Sequence, residues 1–204
     1  MDIFVLVALL AFGVHVFKSR EQKERIALLG SYLSKFQIEK LMQEVLDGYQ
    51  RALGEADVDR QAQVWRYLEP QEQTLCAQFN KFVLEFAEVY EARARVSRLP
   101  LALPFVSLAI PASTFDLRKL MGVHGRGISR AVANSQGLEP KRKAFTVMAE
   151  LLLMQHSCHW FCRSKVVASA RMMARHKTAY PQLLDAVAPE TRQAYLAVLG
   201  RQAG

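Results

Sequence analysis

The stretch IFVLVALLAFGVHVF, residues 3–17, is fifteen residues long, and only Gly13 and His15 interrupt its apolar character. Lys18, Arg20, Lys23 and Arg25 follow at once, while Asp2 is the only charged side chain ahead of it. Counted from Met1, such a segment makes a helix about 25 Å long at ~1.5 Å per residue. That is short for a hydrocarbon core of ~30 Å, but flanking Lys and Arg can snorkel to the interface and cover the difference. A cleaved secretory signal would carry its positive charge before the apolar run and a small-residue cleavage site after it, and this segment has neither. The segment therefore reads as an uncleaved single-pass anchor over residues 1–17, competing with a core helix of a soluble fold. The basic residues after the span put the N-terminus outside and the rest of the chain in the cytoplasm.

The rest of the 204 residues suits one helical core. Hydrophobic residues make up 51% of the chain and charged ones 23%, so apolar surface is ample and general disorder is excluded. The three cysteines, Cys76, Cys158 and Cys162, are odd in number and form no secreted disulfide framework, in keeping with a reducing compartment. The net charge of +8 is spread along the chain. That distribution fits the anionic headgroups of a membrane surface or an acidic partner, and it disfavours nucleic acid, which calls for a dense basic patch.

Apolar residues recur at three- and four-residue steps from Ile26 through Leu53, predicting a juxtamembrane amphipathic helix over residues 18–56, with Gly30 and Gly48 as weak points. A cytoplasmic helical domain then fills residues 57–204. It opens with a short helix capped by Asp57 and running to Leu68, and Pro70 is placed to begin the next, over residues 70–96. In that helix Leu75, Phe79, Phe82, Val83, Phe86, Val89 and Tyr90 share one face, a core stripe. Residues 99–112, LPLALPFVSLAIPA, are too rich in proline for a regular helix and too apolar for an ordinary loop, so they belong in the core or against the bilayer. Further helices are predicted over residues 114–134, 140–177, 181–187 and 189–199, and no β-alternation is long enough for a sheet. The fold class is all-α: an N-terminal transmembrane helix followed by an irregular multi-helix bundle.

Three stretches could carry chemistry. In HSCHWFC, residues 156–162, the imidazole and thiol groups are of the kind that bind zinc. At ~100° per residue His159 and Cys162 fall near one another on the helix, and they are the candidate metal ligands. His156 and Cys158 project about 160° apart, so the four cannot close one tetrahedral site, and small buried thiols with a hydrogen-bonded core histidine explain the stretch without a metal. In GVHGRGISR, residues 122–130, Arg126 and Arg130 beside three glycines could hold an anion, although no Walker or dinucleotide fingerprint is present. Close helix packing is the simpler account of these glycines. Lys18, Arg20, Lys23 and Arg25 are the candidate contacts to anionic lipid.

No complete catalytic motif and no cofactor fingerprint occurs. The expected function is a membrane-anchored helical interaction or scaffold protein on the cytoplasmic face, bound to lipid headgroups and to a protein partner or to itself. The competing classes are a metal-dependent or thiol enzyme built on His159 and Cys162, and a tethered anion- or nucleic-acid-binding module.

Overall fold

The computed structural model describes residues 3–102, 104, 106 and 110–200. Its described helices are α1 (Ile3–Leu33), α2 (Ile38–Gly54), α3 (Val58–Ala87), α4 (Glu91–Ala94), α5 (Leu117–Ala133), α6 (Pro140–Cys162), α7 (Lys165–His176), α8 (Tyr180–Ala186) and α9 (Pro189–Val198). The protein is all-α, as its sequence predicts, with a long apolar N-terminal helix.

Helix α1 has two environments. From residue 3 to 17 every side chain is exposed and only Gly13 is half-buried, whereas Leu28 and Leu29 lie in the core. Tyr32, near its end, meets Phe86 of α3 edge-on at 5.5 Å between ring centroids. The apolar segment and the first core contacts therefore belong to one uninterrupted helix, about 46 Å long at ~1.5 Å per residue. The expected single helix over residues 18–56 is corrected: α1 ends at Leu33, residues 34–37 form a turn, and α2 begins anew at Ile38. Gly30 does not break the helix. The turn falls where Phe36 reaches α3, its ring 6.5 Å from that of Phe82.

The expected break at Pro70 is also corrected, because Pro70 sits inside the thirty-residue α3. Proline inside a helix costs ~3 kcal/mol through its missing N–H and its ring. Here Pro70 and Arg66, whose carbonyl loses its partner, both face solvent, so water can take the vacant bond. On the opposite side Leu68, Glu72 and Leu75 are buried and hold the helix together. Most of the predicted stripe is buried, and Phe79, Phe82 and Phe86 stack at 5.6 and 5.4 Å. Tyr90 is a correction, 74% exposed because the helix ends at Ala87 before reaching it.

Two short strands overturn the expectation of helix through Val96 and of no β pairing. Strand β1 (Arg95–Ser97) runs antiparallel to β2 (Thr114–Asp116), with Val96 opposite Phe115. Three-residue strands leave no alternation to detect. They are held by side chains: Phe115 packs edge-on against Trp160 at 5.0 Å, and Trp160 Nε1 donates to the Ser97 carbonyl at 2.9 Å. Asp116 then caps α5, accepting from the Arg118 backbone N–H at 2.9 Å. Of the apolar stretch 99–112, Val106 is buried while Leu101 and Ile110 are exposed. Residues 103, 105 and 107–109 of that stretch lie outside the described residues.

Finally, the helix expected over residues 140–177 is two helices. Ser164 ends the continuity, its Oγ accepting from the Val167 N–H at 3.3 Å as an N-cap, and the Val166 N–H turns outward to the Pro100 carbonyl. Two of the free backbone donors at the start of α7 are thereby satisfied.

Candidate functional site

The structure brings the two candidate metal ligands, His159 and Cys162, to one cleft. The second half of α1, the start of α2, the last turns of α6 and the middle of α7 enclose an open cleft of about 290 Å³. Leu29, Met42 and Met154 form its buried, apolar floor, and Ile26, Gly30 and Glu39 stand exposed at its edge. Cys158, His159 and Cys162 all line it, together with Arg163 and Arg171. Helix α6 supplies the three because residues 158, 159 and 162 fall within one helical turn of one another.

His159 is half-buried, and its Nδ1 accepts a hydrogen bond from Arg171 Nη1 at 3.2 Å. Burial, followed by the positive fields of Arg171 and Arg175, holds its pKa below the usual histidine value, so the ring is neutral at pH 7. Burial pushes the Cys158 thiol far up and the Cys162 thiol to about 11, the latter against the opposing pull of Arg163, Arg25 and Arg171. Protonated thiols are poor nucleophiles, since reactive cysteines need the opposite shift. Among the described residues, no three His, Cys, Asp or Glu side chains are grouped as metal ligands.

The histidine at the centre of the core is His156, one turn away from the predicted ligand. It is fully buried, stacked on Tyr180 at 4.6 Å, with Nε2 3.1 Å from Ser169 Oγ. His124 of α5 is equally buried, its Nε2 2.9 Å from Ser157 Oγ. This pair has the wrong polarity for nucleophilic catalysis. The single Ser157 proton goes to the Leu153 carbonyl at 3.1 Å, so the hydroxyl accepts from His124 rather than giving up its proton to it. Burial lowers the pKa of both His124 and His156 to about 3.

The basic residues divide. Arg25 is drawn into the fold instead of standing free for lipid: it pairs with Glu21 at 2.6 Å, donates to the Phe161 and Arg95 carbonyls, and lies 5.5 Å from the Phe161 ring centroid. Arg20 and Lys23 are exposed. Half-buried Lys18 lines a small recess beside Leu99, Leu101 and Trp160. Arg126 and Arg130 lie in the interior of α5, where helix hydrogen bonds already engage the backbone N–H groups an anion would need. Arg126 is exposed, and Arg130 pairs with Glu190 at 3.4 Å. The glycines beside them serve packing. A methyl at Gly127 would collide with Glu150 and stand 2.7 Å from Thr191 Oγ1, and one at Gly125 would lie 3.1 Å from Asn80 Oδ1.

Sequence reasoning overlooked Glu150, an acid among apolar residues of α6. It is fully buried; the Ala188 N–H donates to Oε1 at 3.2 Å, and Oε2 has no completed hydrogen bond among the described residues. Burial raises its pKa to about 7, with smaller opposing effects from Thr191, Ala188 and Arg130. The raised value means stability that is complete below the ordinary carboxylate pKa and lost as pH climbs through 7. His124 and His156 act in the other direction, their contribution present above the usual histidine pKa and lost as pH falls towards 3. Comparison with Glu150→Gln cancels the histidines. Between pH 5 and 8 the wild type should lose about 2–3 kcal/mol relative to this variant, read from denaturant midpoints, and parallel profiles would refute the assignment.

Comparison of the chain with protein-family models, with curated proteins and with solved structures found no match.

Proposed function

We propose that this chain is a single-pass membrane protein whose α1 holds a helical interaction or scaffold domain at the cytoplasmic face. One observation carries the proposal: α1 exposes its apolar first half completely and continues without a break into the core at Leu28 and Leu29. Thirteen exposed apolar residues on one helix would be a severe liability in water, and a bilayer removes it. Exposed Leu101 beside Lys18 supports a second contact at the same depth, since Lys18 directly follows the apolar segment. A continuous helix also sets the height of the domain above the lipid, which a flexible linker would not do. Such a fixed mount suits a protein that presents a surface to partners.

Orientation follows from charge, because Lys18, Arg20 and Lys23 all lie on the domain side of the span. A cysteine engineered at Gly204 should resist a membrane-impermeant maleimide added to intact cells and react once the membrane is opened. Labelling of that cysteine in intact cells would reverse the proposed topology.

A further inference from the structure

We propose that the cleft between α1, α2, α6 and α7 binds a single-chain amphiphile with an anionic headgroup, a fatty acid or a lysophospholipid acid. The proposal deepens the membrane-anchored reading and rests on it only for the route by which the ligand arrives. The floor is the first reason. Leu29, Met42 and Met154 are buried yet line an open space, with Leu33 and Ile26 beside them, and flexible methionines adapt to an alkyl chain. A volume of about 290 Å³ stands at the lower end of small-molecule sites, room for part of a single chain lying in an open cleft and too small for a two-chain lipid.

Charge is the second reason. Arg163 and Arg171 line the cleft, and neither forms an ion pair among the described residues; Glu39 is the one carboxylate in the lining. Arg171 spends one N–H on neutral His159, and Arg163 spends one on Gln22 at 2.8 Å, so each guanidinium keeps donors for a carboxylate or phosphate. The Cys162 thiol lies in the field of Arg163, Arg25 and Arg171 together, which places the positive potential at the end of α6.

Position is the third. Gln22, which holds Arg163, lies five residues beyond Phe17 on the same helix, about 7.5 Å at ~1.5 Å per residue. The headgroup side of the cleft therefore faces the bilayer surface from which amphiphiles partition.

The test uses the full chain in phosphatidylcholine nanodiscs, titrated with oleate labelled with carbon-13 at its carboxyl and observed by NMR. A saturable bound carboxyl signal, distinct from that of oleate in the bilayer, is expected. Gly30→Phe should abolish it, because a Cβ at this exposed position on the cleft edge meets no atom within 4 Å, which leaves room for the ring to enter the opening. Arg171→Gln, also at an exposed position, should weaken binding about tenfold. Unfolding of both variants is followed in parallel, and the arginine variant alone decides if the phenylalanine variant does not fold. Oleoyl lysophosphatidate should displace oleate, and the tighter of the two tells whether a carboxylate or a phosphate headgroup is preferred. Three results would overturn the site: no saturable signal on nanodiscs that carry the chain, binding retained in both variants, or displacement by oleyl alcohol as effective as by the acids. Failure of the chain to co-elute with nanodiscs would count against the anchor instead, and the same titration without lipid would then decide the cleft.

Discussion

Lys143→Met is expected to destabilise the protein by about 3–5 kcal/mol, a large part of the ~5–15 kcal/mol that holds a domain together. Lys143 of α6 pairs with Glu72 of α3, and the two side chains are only 17% and 4% exposed. Tyr49 of α2 donates to the other Glu72 oxygen at 2.6 Å, so one carboxylate ties three helices. Burial, reinforced by the negative charge of Glu72, pushes the Tyr49 hydroxyl pKa well above its usual value and keeps it a donor. Methionine matches the length of lysine but leaves the carboxylate buried with the tyrosine alone. The penalty comes from that orphaned charge and not from lost packing, so Glu72→Gln added to Lys143→Met should recover most of the loss. Denaturant unfolding of the detergent-solubilised full chain, followed by circular dichroism, measures both. A loss below about 1 kcal/mol in the single variant would mean that the pair is hydrated and contributes little.

The sequence revealed the parts of this fold that depend on local pattern. The apolar N-terminal helix, the Phe79–Phe82–Phe86 stripe, the Asp57 cap and the final helices all follow from composition or spacing along a few turns. The misses share a different cause. Pro70 usually starts or ends a helix, and it is tolerated within α3 because its unbonded side faces solvent, which is a fact about where α2 and α5 pack. The break at Ser164 had a local signal, a serine in N-cap position, but the surrounding apolar period ran on past it. The β pair depends on Trp160 reaching Ser97 across 63 residues of sequence, and no window along the chain contains both.

The candidate site shows the same division. His159 and Cys162 were legible as chemistry-bearing residues, and the structure does bring them into one cleft. Their partners were not legible, because Arg171 belongs to a helix that the sequence joined to α6, and Ile26 and Leu29 arrive on α1 from more than 100 residues away in the chain. Depth was not legible: His156 is fully buried, whereas His159 is half-buried. Helical projection fixes the angle between two residues but not which side the neighbouring helices occupy. Arg25 looked like its neighbours Lys18, Arg20 and Lys23, and only the carbonyls of Arg95 and Phe161 distinguish it.

The largest expected effect concerns residues 3–17. Burying this many apolar side chains in a bilayer gives an attachment that salt cannot screen, unlike one made by Lys18, Arg20 and Lys23 to anionic headgroups. The full chain should stay with the membrane pellet through high salt and through alkaline carbonate. A chain beginning at Ser19 should move almost entirely to the soluble fraction while keeping helical circular dichroism, since Leu28, Leu29 and the rest of the core remain. The measurement is the distribution of the two proteins between pellet and supernatant after carbonate extraction. Retention of the full chain with release of the shortened one is the predicted result, and release of the full chain by salt alone would contradict the anchor.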